Sequence, residues 1–209
     1  MGLNDWDWRN NIQPAITNEK YYSPPYSIRA PSEGQSVYGF CKAPGTEKIT
    51  NGRVEFVYNH NNTEWDESFG YLIGYIWFRA ALALGSTTLP NDCYRVYIDL
   101  PAFQVVLVRD YHGSVAGSYR HGIYTDVWSQ LDPLTWNWFR VTWWSVPDVG
   151  LVVRYEVKIN NTWYKICGDF VGIPDYYSGY TYNRVGFAFT WVSGSNPPHI
   201  DNIKIYKAI

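Results

Sequence analysis

Several groups of side chains in this chain could do chemistry, and the acidic ones come first. Glu64-Trp65-Asp66-Glu67 concentrates three carboxylates in four residues. Cleavage of a glycosidic bond needs two carboxyls about 5 Å apart for retention, or about 6.5–9.5 Å for inversion. Glu64 and Asp66 share a face of an extended chain, because side chains alternate with period two. The third acid is out of step, and Ser68 and Phe69 occupy the positions that follow. A solvated loop accounts for all three acids, since charges stay exposed. His60, His112, His121 and His199 fall mostly in expected turns, and no spacing groups them as a lyase would need. There is no Gly-x-Ser-x-Gly elbow to present a nucleophile. Cys41, Cys93 and Cys167 are far apart and form no CxxC pair, which argues against structural zinc. An odd number leaves a free thiol or an intermolecular bridge; as small buried hydrophobes they need neither.

A second kind of chemistry is recognition. Three segments alternate between an apolar parity and one that mixes aromatic rings with charge. The mixed parities are Tyr75, Trp77 and Arg79; Arg95, Tyr97 and Asp99; and Trp138, Arg140 and Trp144. Aromatic rings stack on the apolar faces of sugar rings, and Arg and Asp hydrogen-bond hydroxyls in a forked, orienting geometry. Recurrence on three strands predicts one continuous ligand-binding surface. The same residues could instead form a subunit interface, where Tyr, Trp and Arg are enriched. They could also be a second core under the chain's own loops, with Arg stacked on rings for purely structural reasons.

Strands must position these residues. Eleven Trp, 19 Tyr and nine Phe favour strands over helices, and 17 Gly with 12 Pro supply turns. Residues 1–35 read as loop-rich, with a double proline at Pro24-Pro25 and a short strand beginning at Ser27. Gly52–Tyr58 alternates. Tyr71–Leu84 reads as a long strand to about Ala80, with Leu72, Ile76, Phe78 and Ala80 inward. Tyr94–Leu100 and Phe103–Arg109 follow, then a Gly/Ser turn region at 113–122 and a short extended piece over 123–128. In Leu131–Trp144, Phe139, Val141 and Trp143 form the core parity. Leu151–Ile159 turns through Asn160-Asn161 into Thr162–Cys167. Val185–Trp191 carries large residues on one face and Gly186, Ala188 and Thr190 on the other. His199–Tyr206 closes the chain. About ten or more short strands, without a 3.6-residue period, a repeat or a linker, predict an all-β, two-sheet antiparallel β-sandwich or jelly roll. One domain over 1–209 is expected.

The order of pieces resembles the concanavalin A-like lectin/glucanase superfamily, in its laminin-G-like and carbohydrate-binding-module branches. Trp136, Phe139, Val141 and Trp143 lead into Tyr155–Ile159, then Arg184–Phe187, then Ile200–Tyr206. The likeness is best over 128–206 and looser over Ser23–Ala30. It implies a jelly roll, often with a sugar-binding face and sometimes a structural Ca²⁺. Members that hydrolyse β-glucans carry Glu-x-Asp-x-x-Glu, from which Glu64–Phe69 departs. Asp201 shares the parity of Ile203 and Ile205, so it is expected to point inward, where a carboxylate needs hydrogen bonds or a metal. Related modules use such an Asp for Ca²⁺; amides of the N-terminal loop would serve equally.

The expected function is non-catalytic binding of a polysaccharide or other glycan. A structural virion or cell-surface protein that assembles through its aromatic face, as a homo-oligomer or coat, stands beside it, and a glycoside hydrolase or polysaccharide lyase behind it. The net charge of −2 and the lack of a Lys/Arg block speak against nucleic acid. The 71–84 run is too short for a membrane span. The first residues lack a basic and an apolar signal region, and the expected location is extracellular or on a virion surface.

Overall fold

A computed structural model describes residues 3–9, 12–20, 22, 27–43, 45–65, 72–82, 89–180 and 183–208. Asp66, Glu67, Ser68, Phe69, Tyr71, Leu84, Tyr182 and the double proline lie outside the described residues, as does the side chain of Leu72. The strands are β1 (Trp6–Trp8), β2 (Ala15–Thr17), β3 (Ser27–Arg29), β4 (Ser36–Cys41), β5 (Gly52–Asn59), β6 (Leu72–Ala80), β7 (Cys93–Asp99), β8 (Gln104–Tyr111) and β9 (Ser114–Gly122). A single helical turn, α1 (Thr125–Trp128), precedes β10 (Asn137–Val146), β11 (Gly150–Ile159), β12 (Thr162–Lys165), β13 (Phe170–Ile173), β14 (Arg184–Thr190) and β15 (His199–Lys207). One sheet has the order β1-β4-β14-β6-β7-β8-β9; the other runs β12-β11-β10-β5-β15-β3-β2, with β13 beside β11. The expected antiparallel β-sandwich is the observed fold.

The core sits between the sheets and follows from alternation. Phe139, Val141 and Trp143 of β10 are fully buried, and Phe139 stacks on its neighbour Phe56 of β5 at 5.6 Å. Trp143 reaches the opposite sheet and stacks on Phe78 at 5.0 Å. Val153, Tyr155 and Val157 are buried beside them, as their parity predicts. Asn160 and Asn161 both adopt positive φ, 48° and 66°, and close the tight hairpin between β11 and β12. A two-residue turn with both φ values positive matches the right-handed twist of the strands.

Two local readings are corrected. Residues 114–122 form a strand rather than a turn region, paired to β8 along its whole length. As an exposed edge strand, β9 needs no apolar alternation, so its Ser and Gly content concealed it. Thr125–Trp128 is helical rather than extended. Four residues are too few to show a helical period; the turn lays Trp128 against Trp65 at 4.8 Å.

His199 introduces a pH dependence. It is fully buried, and its Nδ1 lies 3.2 Å from Ser27 Oγ. The Ser27 hydroxyl donates its proton to the Lys20 carbonyl, so it accepts from Nδ1–H, which leaves Nε2 unprotonated. Burial, then the nearby Arg29 and Lys20 charges, lower the His199 pKa from 6.5 to about 4. The unfolded chain therefore binds this proton at a higher pH than the folded one. The stabilisation is full above about pH 6.5 and is lost as pH falls toward 4. We expect about 2–3 kcal/mol to vanish across that window. Urea denaturation of wild type and His199→Gln at pH 7 and pH 4.5 checks it: the variant should lose less on acidification. An equal loss in both would refute it.

Candidate functional site

The outer face of the β1–β9 sheet carries an open cleft of about 800 Å³. It exists because β14 presents small residues there. Gly186 and Ala188 sit between Phe40 and Tyr38 of β4 on one side and Trp77 and Tyr75 of β6 on the other. A Cβ on Gly186 would come within 2.5 Å of the Phe40 ring, so only glycine leaves room for it. The large rings lean over this trough. Trp77 packs on Tyr38 (5.6 Å), Phe40 (5.4 Å) and Tyr75 (4.7 Å) and is only 3% exposed. It is thus the floor, while Tyr38 and Tyr75 are half-buried walls. Ser36 and Thr190 line one part, joined by a 2.7 Å hydroxyl contact; Leu89, Pro90, exposed Asn91 and Gly113 line another.

Charge in the cleft comes from Arg95 of β7 and Asp110 of β8. Arg95 Nε lies 2.7 Å from Asp110 Oδ2, and its Nη2 donates to Oδ1 at 3.1 Å. Nη1 donates to the Tyr75 hydroxyl. Burial opposes the Arg95 charge, yet Tyr75 and Asp110 hold its pKa above the ordinary value. Burial pushes the Tyr75 phenol up to about 12 despite the Arg95 charge, so it stays neutral. Cys93, beneath the pair, donates toward Asp110 Oδ2 at 3.5 Å; burial and then the Asp110 charge push its thiol far up, which makes it a poor nucleophile. Tyr97 stacks on Tyr75 at 4.8 Å and 2°, a buttress outside the cleft. Asp99 is two residues further along β7, also outside it.

The nine residues expected to form one surface do not. Arg79 turns inward. From Gly186–Trp77 to Arg184–Ala80, β14 advances two residues and β6 three. The extra residue is a bulge at Arg79, φ +50°, and it inverts the parity beyond it. Arg79 is buried between the sheets, while Ala80, expected inside, joins Trp77 and Phe40 on the outer face. Trp138, Arg140 and Trp144 lie on β10, hence on the opposite sheet. Their face is knitted together by its own charges. Arg140 forks onto Glu156 (2.7 and 2.7 Å) and covers the Trp163 ring. Arg154 forks onto Asp169 and covers Trp144; Lys158 and Lys204 flank Trp138, which also meets Tyr22 edge-on at 5.4 Å.

No family model and no curated protein matches the sequence. Solved structures do. The legume lectin-like domain from Entamoeba histolytica superposes with a TM-score of 0.61 at 12% identity, covering 99% of this chain and 92% of that one. The exoplasmic/lumenal domain of VIP36, in its Ca²⁺/Man-bound form, gives 0.58 at 12%, covering 100% and 84%. The carbohydrate-binding module CBM66 from Bacillus subtilis gives 0.50 at 14%, covering 97% and 96%. The chain has a concanavalin A-like, legume-lectin-like jelly-roll fold.

Within this lectin-like fold Asp201 is not inward. From Asp201–Val57 to Lys204–Glu55, β15 advances three residues and β5 two, and Asn202 at φ +51° is the bulge. Ile200 and Ile203 both enter the core, and Asp201 faces out. Its Oδ2 accepts Tyr22 N–H at 3.0 Å and its Oδ1 accepts Asn202 N–H at 2.5 Å. Among the described residues no group of three or more His, Cys, Asp or Glu stands where it could hold a metal ion, and the Asp201 carboxylate is engaged by the Tyr22 and Asn202 amides. All three cysteines are buried. Tyr38, Asn91 and Asp110 escaped the sequence reading. The small face of β14 was the available signal, since a small stripe between aromatic strands marks a trough.

Proposed function

We propose that this chain is a glycan-binding module whose ligand lies in the cleft between Tyr38, Tyr75, Arg95 and Asn91. The observation that carries it is the trough over Gly186 and Ala188, floored by Trp77 and walled by two tyrosines. Aromatic walls suit the apolar faces of sugar rings, and the polar rim suits their hydroxyls. Two solved neighbours support the reading by what their own structures hold or are: VIP36 with Man or Man3GlcNAc, and a carbohydrate-binding module. The residues of the opposite sheet, Trp138, Arg140 and Trp144, are assigned a structural role.

A glycan array with wild type, Tyr38→Ala, Tyr75→Ala and Trp144→Ala tests the proposal. Stacking contacts of this kind contribute about 1–2 kcal/mol each, hence about 5–30-fold in affinity. Both tyrosine variants should lose at least that much, with unchanged melting cooperativity, while Trp144→Ala binds as wild type. No binding to any glycan, or loss only in Trp144→Ala, would sink the reading. Light scattering in parallel addresses assembly: a defined oligomer disrupted by Tyr38→Ala would favour a structural protein.

A further inference from the structure

We infer that the cleft selects an uncharged glycan and rejects acidic ones, a conclusion that rests on the glycan-binding reading. Among the described lining residues the ionisable side chains of opposite sign are Arg95 and Asp110, and they neutralise each other through two contacts of 2.7 and 3.1 Å. Arg95 Nη1 donates in addition to the Tyr75 hydroxyl. Residues 83–88, which connect β6 to the Leu89–Asn91 wall, read Ala-Leu-Gly-Ser-Thr-Thr and contain no ionisable group.

Neighbouring charged groups are engaged by hydrogen bonds or ion pairs within the chain. Asp92 accepts His112 N–H at 2.8 Å and the Tyr180 hydroxyl at 3.2 Å. Arg9, stacked on Phe40, pairs with Asp7 at 2.8 Å. A ligand carboxylate or sulfate that took up the Arg95 charge would compete with Asp110 for it. Asp110 is just 8% exposed, so its own charge would then be left buried and uncompensated. An anion approaching without displacement would meet Asp110 itself. A cationic sugar meets the mirror-image problem at Arg95. Neutral hydroxyls have no such conflict, because they exchange water for Asn91, Ser36, Thr190 and the Tyr38 phenol without separating the pair.

The experiment uses the whole chain against immobilised neutral polysaccharides (mannan, β-glucan, galactan) and acidic ones (alginate, polygalacturonate, a sialylated glycoprotein). Retention on at least one neutral polymer is expected, with the dissociation constant changing less than about two-fold between 50 and 500 mM NaCl, because screening has no ligand charge to act on. Retention on acidic polymers alone, or a binding constant that weakens ten-fold across that salt range, overturns the inference while leaving glycan binding intact. Retention on none of either class overturns the glycan reading itself. Asp110→Asn supplies the converse. It keeps an acceptor for Arg95 but uncovers one positive charge, so a salt-sensitive gain of at least about five-fold on alginate is expected. If it folds and gains nothing on acidic polymers, Asp110 is not the gate and the inference fails.

Discussion

Replacing Arg79 with Met should lower the free energy of unfolding by about 3–5 kcal/mol, the cost typical of removing one partner from a buried, paired charge. Arg79 is fully buried. Its Nε donates to the Thr50 carbonyl at 2.9 Å, Nη2 donates to Ser145 Oγ at 2.8 Å, and Nη1 pairs with Asp175. Burial lowers its pKa to about 10, which still leaves it charged at neutral pH. The substitution keeps the unbranched stem but strands Asp175, which then retains the Ser145 hydroxyl at 2.7 Å. Because the penalty is mainly that of the orphaned carboxylate, Arg79→Met/Asp175→Leu should recover part of the loss, although each change alone destabilises. Urea denaturation of the four proteins gives the cycle. A cost below about 1 kcal/mol for Arg79→Met would mean the network contributes little more than a surface pair.

The same residue shows where sequence reading stopped. Period-two alternation is legible only while register is unbroken. Along β10 it is unbroken, so Phe139, Val141 and Trp143 were identifiable as core, and the hairpin at Asn160-Asn161 was identifiable from turn chemistry. At Arg79 and Asn202 one extra residue shifts the parity. Both positions take left-handed φ without being glycine; asparagine at 202 is a residue that tolerates this conformation, but arginine at 79 gives no such signal of the bulge. Arg79 and Ala80 therefore exchanged faces, and Asp201 moved from the expected core to the outside.

Sheet membership was the second limit. Alternation assigns a side chain to a face of its own strand, but not to one of two sheets. Tyr75, Trp77 and Arg95 were correctly seen as off-core, and so were Trp138, Arg140 and Trp144. Only the pairing of β6 with β7 and β14, and of β10 with β5 and β11, puts them on opposite outsides of the sandwich. The charge pattern then separates two chemically similar sets. On the β10 side Arg140 and Arg154 each fork onto a carboxylate and cover a Trp ring, which consumes both groups. On the β6 side the glycine and alanine of β14 leave rings uncovered along one flank. The cleft is a matter of what the neighbouring strand omits, and that needs the register Gly186–Trp77 and Ala188–Tyr75.

Trp143→Ala should be as costly as Arg79→Met, about 3–5 kcal/mol, for a different reason: a large cavity in a close-packed core. Trp143 has no exposed surface, stacks on Phe78 across the sandwich, and lies opposite Gly52 in the β10–β5 register. A Cβ at Gly52 would stand 2.8 Å from the indole and 2.5 Å from Ile49, so the glycine and the indole fill one space between them. Surrounding strands are fixed by hydrogen bonds and cannot collapse into the void. Trp143→Phe separates volume from polarity. Among the described residues the indole Nε1–H has no hydrogen-bond partner, so phenylalanine gives up packing but also removes an unmet donor. It should therefore cost well under half as much as alanine. Gly52→Ala in the Trp143→Phe background sharpens the test, because the smaller ring vacates part of the space that the new methyl needs. Non-additivity that favours the double variant would confirm a shared cavity. Independent, additive losses would show that Ile49 and the backbone of β15, rather than the indole, are what require glycine at position 52.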